Sequence, residues 1–469
     1  RTGARRDRPD PDRAALMASW AWALEFQPTD KDGGSNPAAV PVTDVLGASV
    51  QYGKRGDALS YSGGTMTLQL NNTTSKYTPD AGGTYANARF LGTKVRLYAN
   101  VTGAGAPSWT HGPPAAFTGV VTDIEYNFQD TYDASVVVTV SDALTMMGTL
   151  NFGTATAGGF TLDSPTRGVL DDSRVGFDFT NGLDVDAGAA ADHVSRVLAA
   201  SNAITATIEQ AEVVNPSGDP GKTLQGVTAF EGNAGSLLQT VEHSDGGDVY
   251  VRHGLPIDAD TPDNSVTFRT RGQRPVTSAV TGVVGLTPLN LWDARLTPSG
   301  TEPHYYSSVN FASGTTSSYS QVAFTSVGGT EQTATANTDE FGARYISRTG
   351  LLCDNDTETL NLAEAFLAQY GTDGAPPLAV RDIVTQTIME GDNDGWQLVK
   401  TSVGDTATIR VRPQGATSTL EFSGVISGVA WKMSPNGSQM TVQLEDGVQT
   451  VTFLLDDPAY GRLDVNKIG

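Results

Sequence analysis

Cysteine is almost missing from this chain: Cys353 is the single one among 469 residues. An intrachain disulfide is therefore excluded, and a lone thiol builds no thiolate metal site. Basic residues are scarce too, with 30 Lys and Arg against 52 Asp and Glu and a net charge of −22. A surface of that sign does not grip nucleic acid, because phosphate binding needs Lys and Arg. It suits a soluble surface, or a channel wall past which DNA slides without sticking. No apolar run approaches the roughly 20 residues that span a bilayer. The opening RTGARRDRPDPDR has no apolar signal-peptide core. Neither membrane insertion nor secretion is expected.

Aromatic residues make up 8% of the chain and charged ones 17%, while Gly reaches 52 residues. That balance reads as a turn-rich, β-rich globular protein, long enough for more than one core. The chain starts at Arg1 rather than Met, which leaves room for residues upstream. Its basic opening, Arg1, Arg5, Arg6, Arg8 and Arg13 with Pro9 and Pro11, is expected to form a flexible arm.

Catalytic signatures are also lacking. The five histidines, His111, His193, His243, His253 and His304, show no HExxH spacing, and there is no GxSxG elbow, Walker loop or GxGxxG after a strand. Glu242 and His243 beside Asp245 and Asp248 come nearest to a catalytic cluster, but they fall at a helix-to-strand turn, where acidic residues serve conformation. CDNDTET (353–359) and GDNDGW (391–396) invite a calcium reading at 354–358 and 392–394. Neither completes the EF-hand pattern, and helix capping and a β-turn account for them. No catalytic, cofactor or metal residue is assigned, and an enzyme is not expected.

What the sequence does contain is an echo. FTLDSPTRGVLDDSRVG (160–176) returns as FLLDDPAYGRLDVNKIG (453–469) with eight identities. The shared LDxPxxGxLD element comprises Leu162, Asp163, Pro165, Gly168, Leu170 and Asp171 in the first copy. In the second it comprises Leu455, Asp456, Pro458, Gly461, Leu463 and Asp464. Its Pro and Gly mark an irregular exit from a barrel. A second echo pairs FTGVVTDIEY (117–126) with FSGVISGVAW (422–431), and LGTKVRLYANVTG (91–103) is similar to VGDTATIRVRPQG (403–415). Echoes in the same order argue for a duplicated domain.

Between Asp44 and Asn151 the chain reads as short alternating strands such as TMTLQLNN and ASVVVTVSDAL. Helical spacing appears over 187–204 and 233–243, and over 360–370, where Asp356 and Thr357 are candidate caps. Strand patterns, WQLVKTSV among them, resume from Leu378. The expected fold is mainly β with an α+β insertion, built on two related antiparallel β-barrels. The expected layout is an N-terminal arm (1–43), a first barrel with its closing element (44–176), the α+β insertion (177–377), and a second barrel with its closing element (378–469).

The order YTPD, LGTKVRLYA, FTGVVTDIEY, VTVSDAL, then GNAGSLLQTVEHSDGGDVYVRHG, FGARYISRTGLL, AEAFLAQY and FLLDDPAYGRLDVNKIG resembles the minor tail proteins of long-tailed actinobacterial bacteriophages. Within that group it is most similar to the tail-tip or baseplate hub. The resemblance implies tail-tube-like barrels, a homotrimer at the distal end of the virion tail, and a DNA exit channel. It also implies a distal tail protein ring above, further minor tail or tip proteins below, and a tape measure protein in the lumen. Three chains with two barrels each make six similar units, which adapts a sixfold tube to a threefold tip. Acidic side chains are expected to line the lumen, with no specific nucleic-acid binding. The alternatives are a distal tail ring, a glycan-binding tip module using exposed aromatics, and a cell-wall hydrolase.

Overall fold

The structure, a computed structural model, describes residues 22–30, 40–42, 44–54, 60–78, 88–99, 115–128, 134–152, 183–204, 220–230, 232–253, 265–271, 289–293, 304–312, 319–336, 344–370, 379–388, 395–412 and 419–445. Alternation dictates its strands. In Ser62–Asn71, Met66, Leu68 and Leu70 are buried while Thr67 and Gln69 between them are exposed. In Ala134–Ser141, Val136, Val138 and Val140 take the inner face.

Thirteen strands join into one sheet. They are β1 (Trp22–Asp30), β2 (Val40–Val42), β3 (Val45–Gly53), β4 (Ser62–Asn71), β5 (Ala88–Ala99), β6 (Ala115–Phe128), β7 (Ala134–Ser141), β8 (Leu289–Trp292), β9 (His304–Ala312), β10 (Ala379–Thr385), β11 (Thr406–Val411), β12 (Leu420–Ser434) and β13 (Gly437–Glu445). Their order is β2-β1-β5-β6-β7-β4-β3-β12-β11-β8-β9-β10-β13, and β13 returns to pair with β12. The last six strands of that order therefore close a barrel.

The meanders β5-β6-β7 and β11-β12-β13 follow the sequence echo residue by residue. Val95 faces Gly119 and Leu97 faces Phe117; at the echoed positions Ala407 faces Gly424 and Ile409 faces Phe422. The ladder to β7 is interrupted between Val121 and Asp123, and the ladder to β13 between the echoed Ile426 and Gly428. Each meander is entered by a left-handed glycine, Gly92 at φ +81 and Gly404 at φ +89.

Several expectations are corrected. Residues 22–30, placed in the N-terminal arm, form β1 and pair with β5. Trp22 sinks into the core, so apolar burial holds this segment. β8 and β9, placed in the insertion, belong to the closed barrel. β8 runs parallel to both neighbours, so that barrel is not purely antiparallel. Among the described residues, β1–β7 do not close on themselves; the β3 edge passes to β12. The end of ASVVVTVSDAL turns into a short helix, Ala143–Met147, where Asp142 accepts from the Thr145 N–H. The start of the expected strand WQLVKTSV falls in a 3-10 helix, Gly395–Lys400, whose Trp396, Leu398 and Val399 are buried.

The intervening unit is α+β. Helix α1 (Ala190–Ile204) buries Val194, Val197 and Leu198. Helix α2 (Ala234–Asp245) is capped by Asn233, whose Oδ1 accepts from the Ser236 N–H at 2.6 Å, and ends at Gly246 with φ +75. A hairpin, Asp248–Arg252 with Ser265–Arg269, follows. Helix α3 (Asp356–Tyr370) covers a three-stranded sheet of 332–335, 321–326 and 345–351. Its cap is Asn355, whose Oδ1 accepts from the Glu358 N–H at 3.0 Å. Asp356, a candidate cap, turns instead to the Thr330 hydroxyl and N–H. These hydrogen bonds hold its carboxyl below the usual range.

Candidate functional site: the seam between the two β bodies

The seam is the ladder between β3 and the second half of β12. Tyr52 faces Val429, Val50 faces Trp431 and Ala48 faces Met433. All six side chains are buried, so the seam is core on one face. At its end Gly53 adopts φ +94, and a Cβ there would stand 2.3 Å from the Ser427 carbonyl oxygen. Only glycine permits this approach. The next residue, Lys54, donates its N–H to that same carbonyl at 2.7 Å.

Lys54 then enters a buried charge cluster. Its Nζ lies 2.6 Å from Glu445 Oε1 and 3.6 Å from Asp248 Oδ1. Arg269 reaches Asp248 Oδ2 through Nε at 3.1 Å and Nη2 at 2.5 Å, and stands 3.8 Å from Glu445 Oε2. Tyr370 donates to Glu445 Oε1 at 3.1 Å, and Tyr61 to Oε2 at 3.4 Å. Among the described residues two cations and two anions thus meet in the interior, tying together the β3 exit, the hairpin, β13 and α3. Burial opposes the Arg269 charge, but Asp248, Tyr61, Tyr250 and Glu445 together outweigh it and hold the guanidinium protonated. Burial, followed by Glu445 and Asp248, pushes the Tyr61 hydroxyl well up.

A second chain of contacts crosses the other flank. Asp142 Oδ2 accepts from the Gly64 N–H at 2.6 Å and lies 3.7 Å from His253 Nε2. The His253 ring stacks on Phe117 at 4.6 Å and sits 4.4 Å from Tyr52. The His253 backbone N–H donates to Ser402 Oγ at 3.0 Å, and the Ser402 backbone N–H to Asp405 Oδ2 at 2.8 Å. Arg252 Nη2 closes the line on Asp405 Oδ1 at 2.9 Å. Burial raises the Asp405 carboxyl to about 6 against the pull of Arg252 and the Ser402 N–H.

The residues singled out in sequence do not converge on one reactive point. His243 Nε2 is 2.8 Å from Ser60 Oγ, and Asp245 accepts the N–H groups of Lys222 and Arg271. Asp248 is engaged by Lys54 and Arg269, while Glu242 borders a recess of about 180 Å³ with Tyr61, Leu238 and Gln239. His193 bridges the carbonyls of Ala189 and Gln225. The Cys353 thiol is buried, which raises it, and lies 3.6 Å from the Ser244 carbonyl. Among the described residues no group of three His, Cys, Asp or Glu is placed to hold a metal ion. Residues 392–394, both copies of the LDxPxxGxLD element, His111 and the Arg1–Arg13 run lie outside the described residues.

Sequence reasoning missed Lys54, Arg252, Arg269, Asp405 and Glu445. Alternation places Arg269 opposite the buried Val266 and Phe268, on what reads as a solvent face. The hairpin is covered on both faces, which alternation does not register.

No protein-family model and no curated protein matches the chain. Among solved structures it is similar to the tail protein from Neisseria meningitidis MC58, at 11% identity over 91% of this chain and 97% of that one, with a TM-score of 0.51. It is also similar to the prophage MuSo2 43 kDa tail protein from Shewanella oneidensis, at 9% identity over 90% and 98% of the two chains and a TM-score of 0.48. A prophage tail protein from Listeria monocytogenes EGD-e follows at 10% identity, covering 90% and 94%, with a TM-score of 0.40. The chain has the fold of the Neisseria tail protein along nearly its whole length.

Proposed function

We propose that this chain is a non-enzymatic structural component of a bacteriophage tail, a trimeric hub at the distal end whose two related β bodies line the DNA exit channel. The observation that carries the reading is the fold, matched across nearly all of both chains to a tail protein. The hub assignment is supported by the two meanders, whose shared register, shared ladder interruption and matched left-handed glycines fit one unit used twice. Three such chains present six similar units to a sixfold tube.

The buried charge cluster and the Asp142–Asp405 line have a role in this reading. They lock the α+β unit onto both β bodies, so that each chain enters the ring as one rigid piece. The net charge of −22 supports an acidic lumen with weak DNA adhesion. A distal tail protein ring above, tip proteins below and a tape measure protein in the lumen complete the proposed surroundings.

Averaged electron images of the assembled tail test the reading. A threefold ring with two lobes per chain is the expected result. A sixfold ring with one lobe per chain places the protein in the distal tail ring, and zones of cleared cell wall around purified protein overturn the structural role.

A further inference from the structure

The seam inside the chain describes how two chains meet. β12 continues past its ladder interruption at Ser427, and its second half is paired on both edges, with β13 and with β3. The echoed half of β6, Thr122–Phe128, is paired with β7 on one edge, and among the described residues no strand pairs with the other. Its inner row is left half open: Ile124 and Tyr126 are partly buried, and Phe128 is 61% exposed.

A strand equivalent to β3 has a free edge as well. Ser49-Val50-Gln51-Tyr52-Gly53 of β3 is echoed by Ser308-Val309-Asn310-Phe311-Ala312 of β9. The register agrees: Val50 faces Met66 on β4, and Val309 faces Ile383 on β10, with Met66 and Ile383 both fully buried. β9 pairs with β8 only through His304 and Tyr305, and no described strand pairs with the outer edge of Ser307–Ala312. Val309 and Phe311 on it are partly buried.

We infer that a second copy of this chain is the occupant of both edges, Thr122–Phe128 of one copy forming an antiparallel ladder with Ser307–Ala312 of the next. The inference rests on the trimeric reading above and names its contact. Carrying the β3–β12 register over by the two echoes sets Ile124 opposite Phe311 and Tyr126 opposite Val309. Inside the chain those places are held by Val429 with Tyr52 and by Trp431 with Val50. The new ladder continues the existing seam, covers an apolar row that is otherwise half exposed, and satisfies two open strand edges. Donor edge and acceptor edge differ, so the contact is head-to-tail and closes only as a ring.

The test uses the full chain carrying Asn127→Cys and Ser308→Cys, residues set opposite each other where Lys432 faces Ser49 in the seam. Opposed positions in an antiparallel pair suit a disulfide. The native Cys353 is buried, and β6 and β9 stand apart in the sheet order, so intrachain linkage is not expected. After mild oxidation a non-reducing gel is expected to show a covalent ladder ending at three chains, absent from either single variant. Light scattering on the reduced wild type reports the trimer independently. Tyr126→Asp is expected to lower that mass to one chain while circular dichroism stays unchanged. A trimer that neither cross-links nor responds to Tyr126→Asp overturns the edge assignment and leaves the hub reading standing. A monomer at every concentration, with no cross-link, overturns both.

Discussion

The indole Nε1 of Trp22 donates to Oγ of Ser438 at 2.8 Å, so the first described strand is fastened to the last. The same ring stands edge-on to Trp396 at 5.2 Å and Trp431 at 5.4 Å. This aromatic cluster fastens β1 to the closed barrel across 416 residues of chain.

Trp22→Ala is expected to destabilise the chain by about 3–5 kcal/mol, the usual cost of removing a buried aromatic. Trp22→Phe keeps the edge-on ring but leaves Ser438 without its donor, at a cost of roughly 1–2 kcal/mol. Urea denaturation distinguishes them. Wild-type stability in Trp22→Ala would remove β1 from the core.

Glu445→Ala leaves Lys54 and Arg269 sharing Asp248, and is expected to cost about 3–5 kcal/mol, as when a buried pair loses one partner. Adding Lys54→Met restores the balance of charge. The double variant should therefore lose less than the sum of the two single losses. Additive losses in denaturation would mean that the groups do not act as one cluster.

Gly92 and Gly404 share a left-handed φ at matched positions, but their surroundings differ. A Cβ on Gly92 meets nothing within 4 Å, whereas one on Gly404 would stand 2.2 Å from the Tyr250 hydroxyl. Gly92→Ala should cost only the backbone term of about 1–2 kcal/mol. Gly404→Ala adds a steric clash worth roughly 1–3 kcal/mol more. Equal melting temperatures for the two variants would contradict the packing of the hairpin against the entry to β11.

Asp405 gives the fold a pH dependence of definite sign. Its folded carboxyl sits at about 6, above the value of about 3.9 for an unfolded Asp. Between these values the folded state binds more protons, so this group's contribution to stability falls as pH rises and is level above pH 6. Asp405→Asn removes that slope. Wild-type stability relative to the variant should decline from about pH 4 to pH 6. A difference independent of pH would show that Arg252 holds the carboxylate charged throughout.

Sequence and structure part company at identifiable residues. The Leu237, Leu238 and Val241 spacing placed α2 within two residues at its end, because an apolar stripe and its caps are local. Asp356 and Thr357 were credited with a cap that Asn355 makes, since several polar residues in a row compete for one N–H. The Ser49–Gly53 and Ser308–Ala312 echo was present but short. It gains weight only once Val50 and Val309 are seen facing equivalent buried partners.

By itself, the sequence determined the strand periodicity, the three longer helices and the repetition of one meander, all of which are written in neighbouring residues. Only the tertiary structure decided that β3 pairs with β12, that β8 enters its barrel in parallel, and that Lys54, Asp248, Arg269 and Glu445 meet. Strand pairing is made by backbone groups that every residue carries, so its partners are set by packing across the whole chain. Burial on both faces likewise turns charges that alternation assigns to water into a buried cluster that fastens the fold.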